Sequence, residues 1–196
     1  LNTPNKFDIT EEKEGGGILK GIFWKEGESF SNSMSLIAFL LVRYPEIGTV
    51  RFDPEQKTLQ FSFILNKVLP ESDFGLFKEN LLLSLNAISE LQERTVGLIQ
   101  ISFSVCDGLS FLEIQRDVDS LNQEEIALII GVTRRYFEGD LLLDQQENLQ
   151  EEDIVLQEEM IEHMLEDLKD SRQEKRLIGF REEGRVLIFN RAKLHK

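Results

Sequence analysis

From Ile99 to Val105, Ile99, Ile101, Phe103 and Val105 alternate strictly with Gln100, Ser102 and Ser104, and Asp107-Gly108 follows. A period of two turns one set of side chains to a core and the other to water. Asp-Gly supplies the two central residues that tolerate positive φ in a tight hairpin turn. An antiparallel hairpin is therefore required here. In the return strand Leu109 and Phe111 give way to Leu112 and Ile114, so the phase flips and a bulge near Phe111 and Leu112 is expected. A second alternation predicts another hairpin with one core face. Val50 and Phe52 lead into a turn over Pro54 to Lys57, and Leu59, Phe61, Phe63 and Leu65 return.

Helical signals flank both hairpins. Ser31, Asn32 and Ser33 are N-cap candidates ahead of Met34 to Tyr44, which Pro45 ends. Leu36, Ile37, Phe39, Leu40, Leu41 and Val42 leave no polar face, which fits a buried helix, and periodicity alone leaves a buried strand open. Pro70, Ser72 and Asp73 open a second helix, with Phe74, Phe77, Leu81, Leu85, Ile88 and Leu91 at three- and four-residue steps. Ser120 and Gln123 form a capping-box start for a third, which carries Ile126, Ile129, Ile130, Thr133 and Phe137 and meets Gly139 at its end. Ile18 to Trp24, short and apolar, could add an edge strand. The order α-β-β-α-β-β-α predicts an α+β fold, an antiparallel sheet of two hairpins packed with three helices.

Charge then divides the chain. Of its 196 residues, 36 are acidic and 22 basic, a net charge of -14. From Asp144 to Leu168 there are ten acidic residues and no Lys or Arg, whereas Lys169 to Lys196 holds nine basic and four acidic. Ile154, Ile161, Met164, Leu165 and Leu168 give the acidic block a helical stripe, and Leu177 to Arg181 with Arg185 to Asn190 form a last hairpin. Pairing of these two blocks within the chain would account for their opposite charges without a nucleic-acid partner. With Leu143 to Gln150 as a linker, the expected divisions are a flexible acidic segment 1–17, an α+β core 18–143, and a subdomain 144–196 of acidic helix plus basic hairpin.

Cys106 is the one cysteine, so no intrachain disulfide can form. The longest apolar runs, Leu36 to Val42 and Ile126 to Val132, fall short of the roughly 20 residues a membrane helix needs. The first residues, Leu1 to Gly17, are polar and lack an apolar signal core. A cytoplasmic protein without a membrane partner is expected.

Catalytic patterns fail on inspection. Gly16 to Gly21 has the outer spacing of a phosphate loop, but Ile22 and Phe23 stand where Lys and Ser or Thr are needed. Gly15 and Gly17 begin a dinucleotide pattern that Lys20 breaks, and neither Ser29 nor Ser110 lies in a nucleophile elbow. Glu159, His163 and Glu166 share a helical face, opposite the apolar stripe and so toward water. Cys106 beside Asp107 lacks a group to lower its pKa, and Asp119 fits the dipole of the following helix better than a metal. No catalytic, cofactor or metal residue is assigned. Asp53, Asp107 and Asp117, near hairpin turns, are the first suspects for a carboxylate site assembled in space.

Binding signals lie in the last hairpin. Val186 and Ile188 share one face, Leu187 and Phe189 the other, and Ile178 and Phe180 oppose Leu177 in the same way. A ribbon apolar on both faces cannot stand alone in water. One face can pack on the fourth helix, while the other needs the main sheet, a second copy or a partner. Leu177, Phe180, Val186, Leu187, Ile188 and Phe189 are therefore the candidate interface. Arg181, Arg185 and Arg191 could contact anions, although the acidic remainder of the chain weighs against nucleic acid. The expected function is a non-catalytic interaction or adaptor protein. It would act as a homodimer, with another protein as a further partner, through this hairpin and the acidic helix Glu151 to Asp167. The alternatives are nucleic-acid binding through the basic hairpin and an enzyme with an assembled carboxylate or metal site.

Overall fold

The computed structural model describes residues 31–143, 151–170, 175–182 and 185–190. The expected segments at 1–17 and 18–24, the linker 144–150 and Arg191 lie outside the described residues. The first helix, α1 (Asn32–Arg43), starts at Ser31, whose side chain accepts the Met34 N–H. Leu36, Ile37, Leu40 and Leu41 are fully buried in it, which settles helix over strand. Strands β1 (Thr49–Asp53) and β2 (Thr58–Leu65) pair from Thr49 opposite Ser62 to Asp53 opposite Thr58. Asp53 Oδ1 accepts the N–H of Glu55 at 2.9 Å, the side-chain bond of an Asx turn.

Helix α2 (Glu71–Leu91) buries Phe77, Leu81 and Leu85, while Leu91, at the end of the expected stripe, is 85% exposed. Strands β3 (Ile99–Cys106) and β4 (Leu109–Asp117) follow, with φ of 50° at Asp107 and 80° at Gly108 in the turn. The expected bulge is absent. Pairing runs unbroken from Ile99 opposite Arg116 to Cys106 opposite Leu109. Alternation along β4 is regular, with Ser110, Leu112, Ile114 and Arg116 buried. The apparent phase flip arose because two inward positions are polar. Ser110 can face inward because its Oγ accepts the Leu69 N–H at 2.7 Å and donates to the Lys67 carbonyl at 2.8 Å.

Helix α3 (Gln123–Tyr136) is capped by Asn122, whose Oδ1 accepts the Glu125 N–H at 2.8 Å, rather than by Ser120. Gly139 adopts a φ of 86° just past its end. Helix α4 (Glu151–Asp170) and strands β5 (Leu177–Glu182) and β6 (Arg185–Asn190) complete the chain. The last hairpin is part of the main sheet, because β5 pairs antiparallel with β1 from Thr49 opposite Phe180 to Phe52 opposite Leu177. The result is a six-stranded antiparallel sheet in the order β3-β4-β2-β1-β5-β6. Ile101, Leu112, Phe63, Val50, Leu177 and Ile188, one from each strand, join residues of all four helices in one core. The protein is thus α+β, with β3 and β6 at the edges of its sheet.

Candidate interaction surfaces

The C-terminal hairpin meets its own chain on one face. Leu177, Val186 and Ile188 are buried in the core, and Gly179 passes directly beneath α1. A Cβ at Gly179 would lie 2.3 Å from Ile37 Cγ2, so only glycine permits this approach. Arg181 Nη2 donates to the Tyr44 carbonyl at 3.0 Å, which places its charge at the C-terminal end of α1. The guanidinium expected to meet an anion therefore serves the fold at that bond. On the other face, the half-buried rings of Phe180 and Phe189 stack at 5.6 Å with only 9° between their planes. Leu187, opposite Phe180, is also buried. Arg185 is half-buried at the start of β6.

Helix α4 packs on α1 and α3 through Ile161, Leu165 and Leu168. Its carboxylates divide between two tasks. Glu158 binds Arg43 at 2.8 Å, and Glu162 accepts the Gln123 N–H at 2.7 Å, which satisfies a donor in the first turn of α3. Gln123 Nε2 in turn reaches the Tyr44 hydroxyl at 3.3 Å, where burial pushes the phenol pKa above its usual value. Charge pairing crosses the fold to the β1–β2 turn, and one further pair lies within α4 itself. Arg176 binds Asp53 at 3.1 Å and Glu55 at 2.8 Å, while Lys169 binds Glu166 at 2.6 Å.

Beside α4 opens a cleft of about 630 Å³, lined by Gln92, Arg94, Asn122, Gln123, Glu124, Val155, Glu158, Glu159 and Glu162. Its volume is in the range of small-molecule sites. Val155, 57% exposed, is the lone aliphatic in this lining. Four glutamates against one arginine give this lining a net negative charge. The sequence identified the acidic helix but not the α2 and α3 ends that complete this cleft.

The carboxylate suspects are spread among separate turns. Asp53 closes the β1–β2 turn and binds Arg176, Asp107 is exposed in the β3–β4 turn, and Asp117, at the end of β4, is bonded to Arg116 and Ser120. Asp119 pairs with Lys57 at 3.2 Å. His163, Glu159 and Glu166 are exposed, and no group of three metal-ligating side chains comes together among the described residues. Cys106 is an exposed free thiol.

The most elaborate polar cluster was missed, although its sign was an arginine in phase with Leu112 and Ile114. Arg116 is fully buried and spends all five guanidinium donors. It grips both oxygens of Glu125 and donates to the Leu98 carbonyl, to Asp117, and to Ser120 Oγ at 3.1 Å. Ser120, expected as a cap, instead gives its N–H to Asp117 Oδ2 at 2.9 Å and accepts the Gly97 N–H at 3.0 Å. A fully satisfied cluster has nothing left for a ligand. It joins β4, α3 and the loop before β3.

Asp117 gives this cluster a pH signature. Burial raises its pKa, but the Ser120 hydrogen bonds and Arg116 outweigh that and hold it below its ordinary 3.8. A depressed folded-state pKa means that the stabilisation is complete above 3.8 and is lost as pH falls through the folded value. Acid titration of unfolding should therefore show a steeper loss below about pH 4 in the parent than in Asp117→Asn. Equal slopes would remove Asp117 from the account of acid sensitivity.

No family model matches the chain, and neither curated proteins nor solved structures give a match.

Proposed function

We propose that this chain is a non-catalytic interaction or adaptor protein that acts as a homodimer and receives a cationic segment of another protein in the cleft along α4. The observation that carries this reading is the lining of that cleft, with Glu124, Glu158, Glu159 and Glu162 around an exposed Val155. Lysine or arginine side chains would answer Glu159 and the net charge of the lining, Glu158 and Glu162 being already bonded to Arg43 and Gln123, and an apolar side chain beside them would cover Val155. The stacked Phe180 and Phe189 on the outer face of the last hairpin offer a second contact area. The basic hairpin is less suited to a polyanion, since Arg181 is bonded to the Tyr44 carbonyl and Arg176 to two carboxylates.

The test is a native mass spectrum of the protein purified from its own host, followed by titration of the co-purified partner. Binding should weaken with salt. Glu159→Lys, at an exposed position that anchors no other element, should lower affinity about tenfold or more, as like charges meet across the interface. Val155→Ser, which removes the apolar contact without adding an attractive charge, should act in the same direction. Unchanged affinity in both variants would overturn the assignment of the cleft, and a bound metal or metabolite in place of a protein would overturn the adaptor reading.

A further inference from the structure

The exposed edge of β3 has none of the features that keep sheet edges from pairing with another chain. Such edges are ordinarily short, bulged, or marked by lysine, proline or an inward charge. Residues Ile99 to Cys106 form an eight-residue strand with no charged residue, no proline and no bulge. The opposite edge strand, β6, carries Arg185. Gln100, Ser102, Ser104 and Cys106 are exposed, and Val105 is 47% exposed, so side chains do not cover this edge.

The ladder fixes which backbone groups face outward. Asp117 donates its N–H to the Leu98 carbonyl at 3.2 Å, so Leu98 belongs to the positions that bond to β4. Antiparallel bonding alternates, which assigns Gln100, Ser102, Ser104 and Cys106 to β4 as well. Ile99, Ile101, Phe103 and Val105 then turn their N–H and C=O groups to the free edge. Among the described residues, none of these groups has a partner beyond the strand.

We propose that β3 pairs antiparallel with β3 of a second copy, joining two six-stranded sheets into one. This rests on the homodimer reading above and gives it an interface. The pattern of the strand selects a copy of itself as occupant. Antiparallel pairing through the outward groups sets odd positions opposite odd ones, so Ile101 and Phe103 meet apolar residues and Ser102 meets serine. A two-fold interface of this kind closes at two subunits. Charge agrees, because a chain carrying -14 repels its copy wherever acidic surface must meet acidic surface, and this strand presents none.

Cys106 lets the inference be tested without an added cysteine, since it is the chain's one cysteine and lies exposed at the end of β3. Spin labels on the two Cys106 side chains should be roughly 20 to 30 Å apart, six to eight residue steps along paired strands. Joining through β6 would instead put them at opposite ends of a twelve-stranded sheet, about 50 Å apart. Light scattering across a dilution series should give twice the 22.7 kDa chain mass. Val105→Pro, which removes an outward N–H and no β4 bond, should return the protein to one chain mass. If that variant fails to fold, Ser102→Lys on the exposed face decides and should also give a monomer. A dimer with the long distance, or one that a folded Val105→Pro or Ser102→Lys leaves intact, overturns the β3 assignment while keeping the homodimer. A parent protein of one chain mass overturns both.

Discussion

Arg116→Met should destabilise the protein by about 3–5 kcal/mol, because the change leaves the Glu125 carboxylate buried without its partner. For a domain whose total stability is about 5–15 kcal/mol, this removes a large fraction or unfolds it outright. The arginine itself is completely inaccessible and touches β4, α3 and the loop before β3, so no neighbouring cation can take its place. The paired change Arg116→Met with Glu125→Leu should recover most of the loss, since an apolar pair of similar volume escapes the desolvation cost of two charges. Urea denaturation of the parent, both single variants and the double variant measures the coupling directly. A single-variant loss below about 1 kcal/mol would mean that water reaches Glu125 and that the cluster contributes little.

Gly179→Val should detach the C-terminal hairpin from α1. Its Cβ would overlap Ile37 Cγ2 at 2.3 Å and press on Leu41 Cδ1 at 3.0 Å, and both neighbours are fully buried. Overpacking of a rigid core costs about 1–3 kcal/mol, and here the clash is with a helix that β1, β5 and β6 all support. Because β5 forms the only described sheet contact between the hairpin and β1, relief by moving β5 would break that pairing. Hydrogen exchange should show lost protection across Leu177–Glu182 and Arg185–Asn190 while β3 and β4 keep theirs. Gly179→Ala should follow with a smaller loss. Full protection in both variants would show that α1 can shift to make room.

The local elements were legible because their signals lie within a few residues of one another. Alternation and the Asp107-Gly108 turn specified β3 and β4, the run Ser31, Asn32 and Ser33 marked the start of α1, and Gly139 followed α3. Where a buried position is polar, the same logic misled. Ser110 and Arg116 face inward because backbone groups and Glu125, distant in the chain or across an element, satisfy them, and no periodicity rule contains those partners. Their polarity disguised a regular strand as a bulged one. Ser120 was likewise assigned to a cap, when the arginine cluster holds it and Asn122 caps the helix.

The interaction surfaces divide along the same line. Composition alone established the acidic stretch of α4 and the two-sided apolar character of the last hairpin, since both follow from residue identity at helical and strand spacing. Tertiary structure decided what those features meet. It set one hairpin face beneath α1, where glycine allows the close approach, and brought the ends of α2 and α3 to the acidic helix to form a cleft. It also made β3 an edge. An uncharged alternating strand reads the same whether it lies at the centre of a sheet or at its border, and only the strand order β3-β4-β2-β1-β5-β6 leaves its outward groups free. Sequence encodes the faces of each element because side-chain period is local, whereas neighbours are settled by the one packing that buries all those faces together.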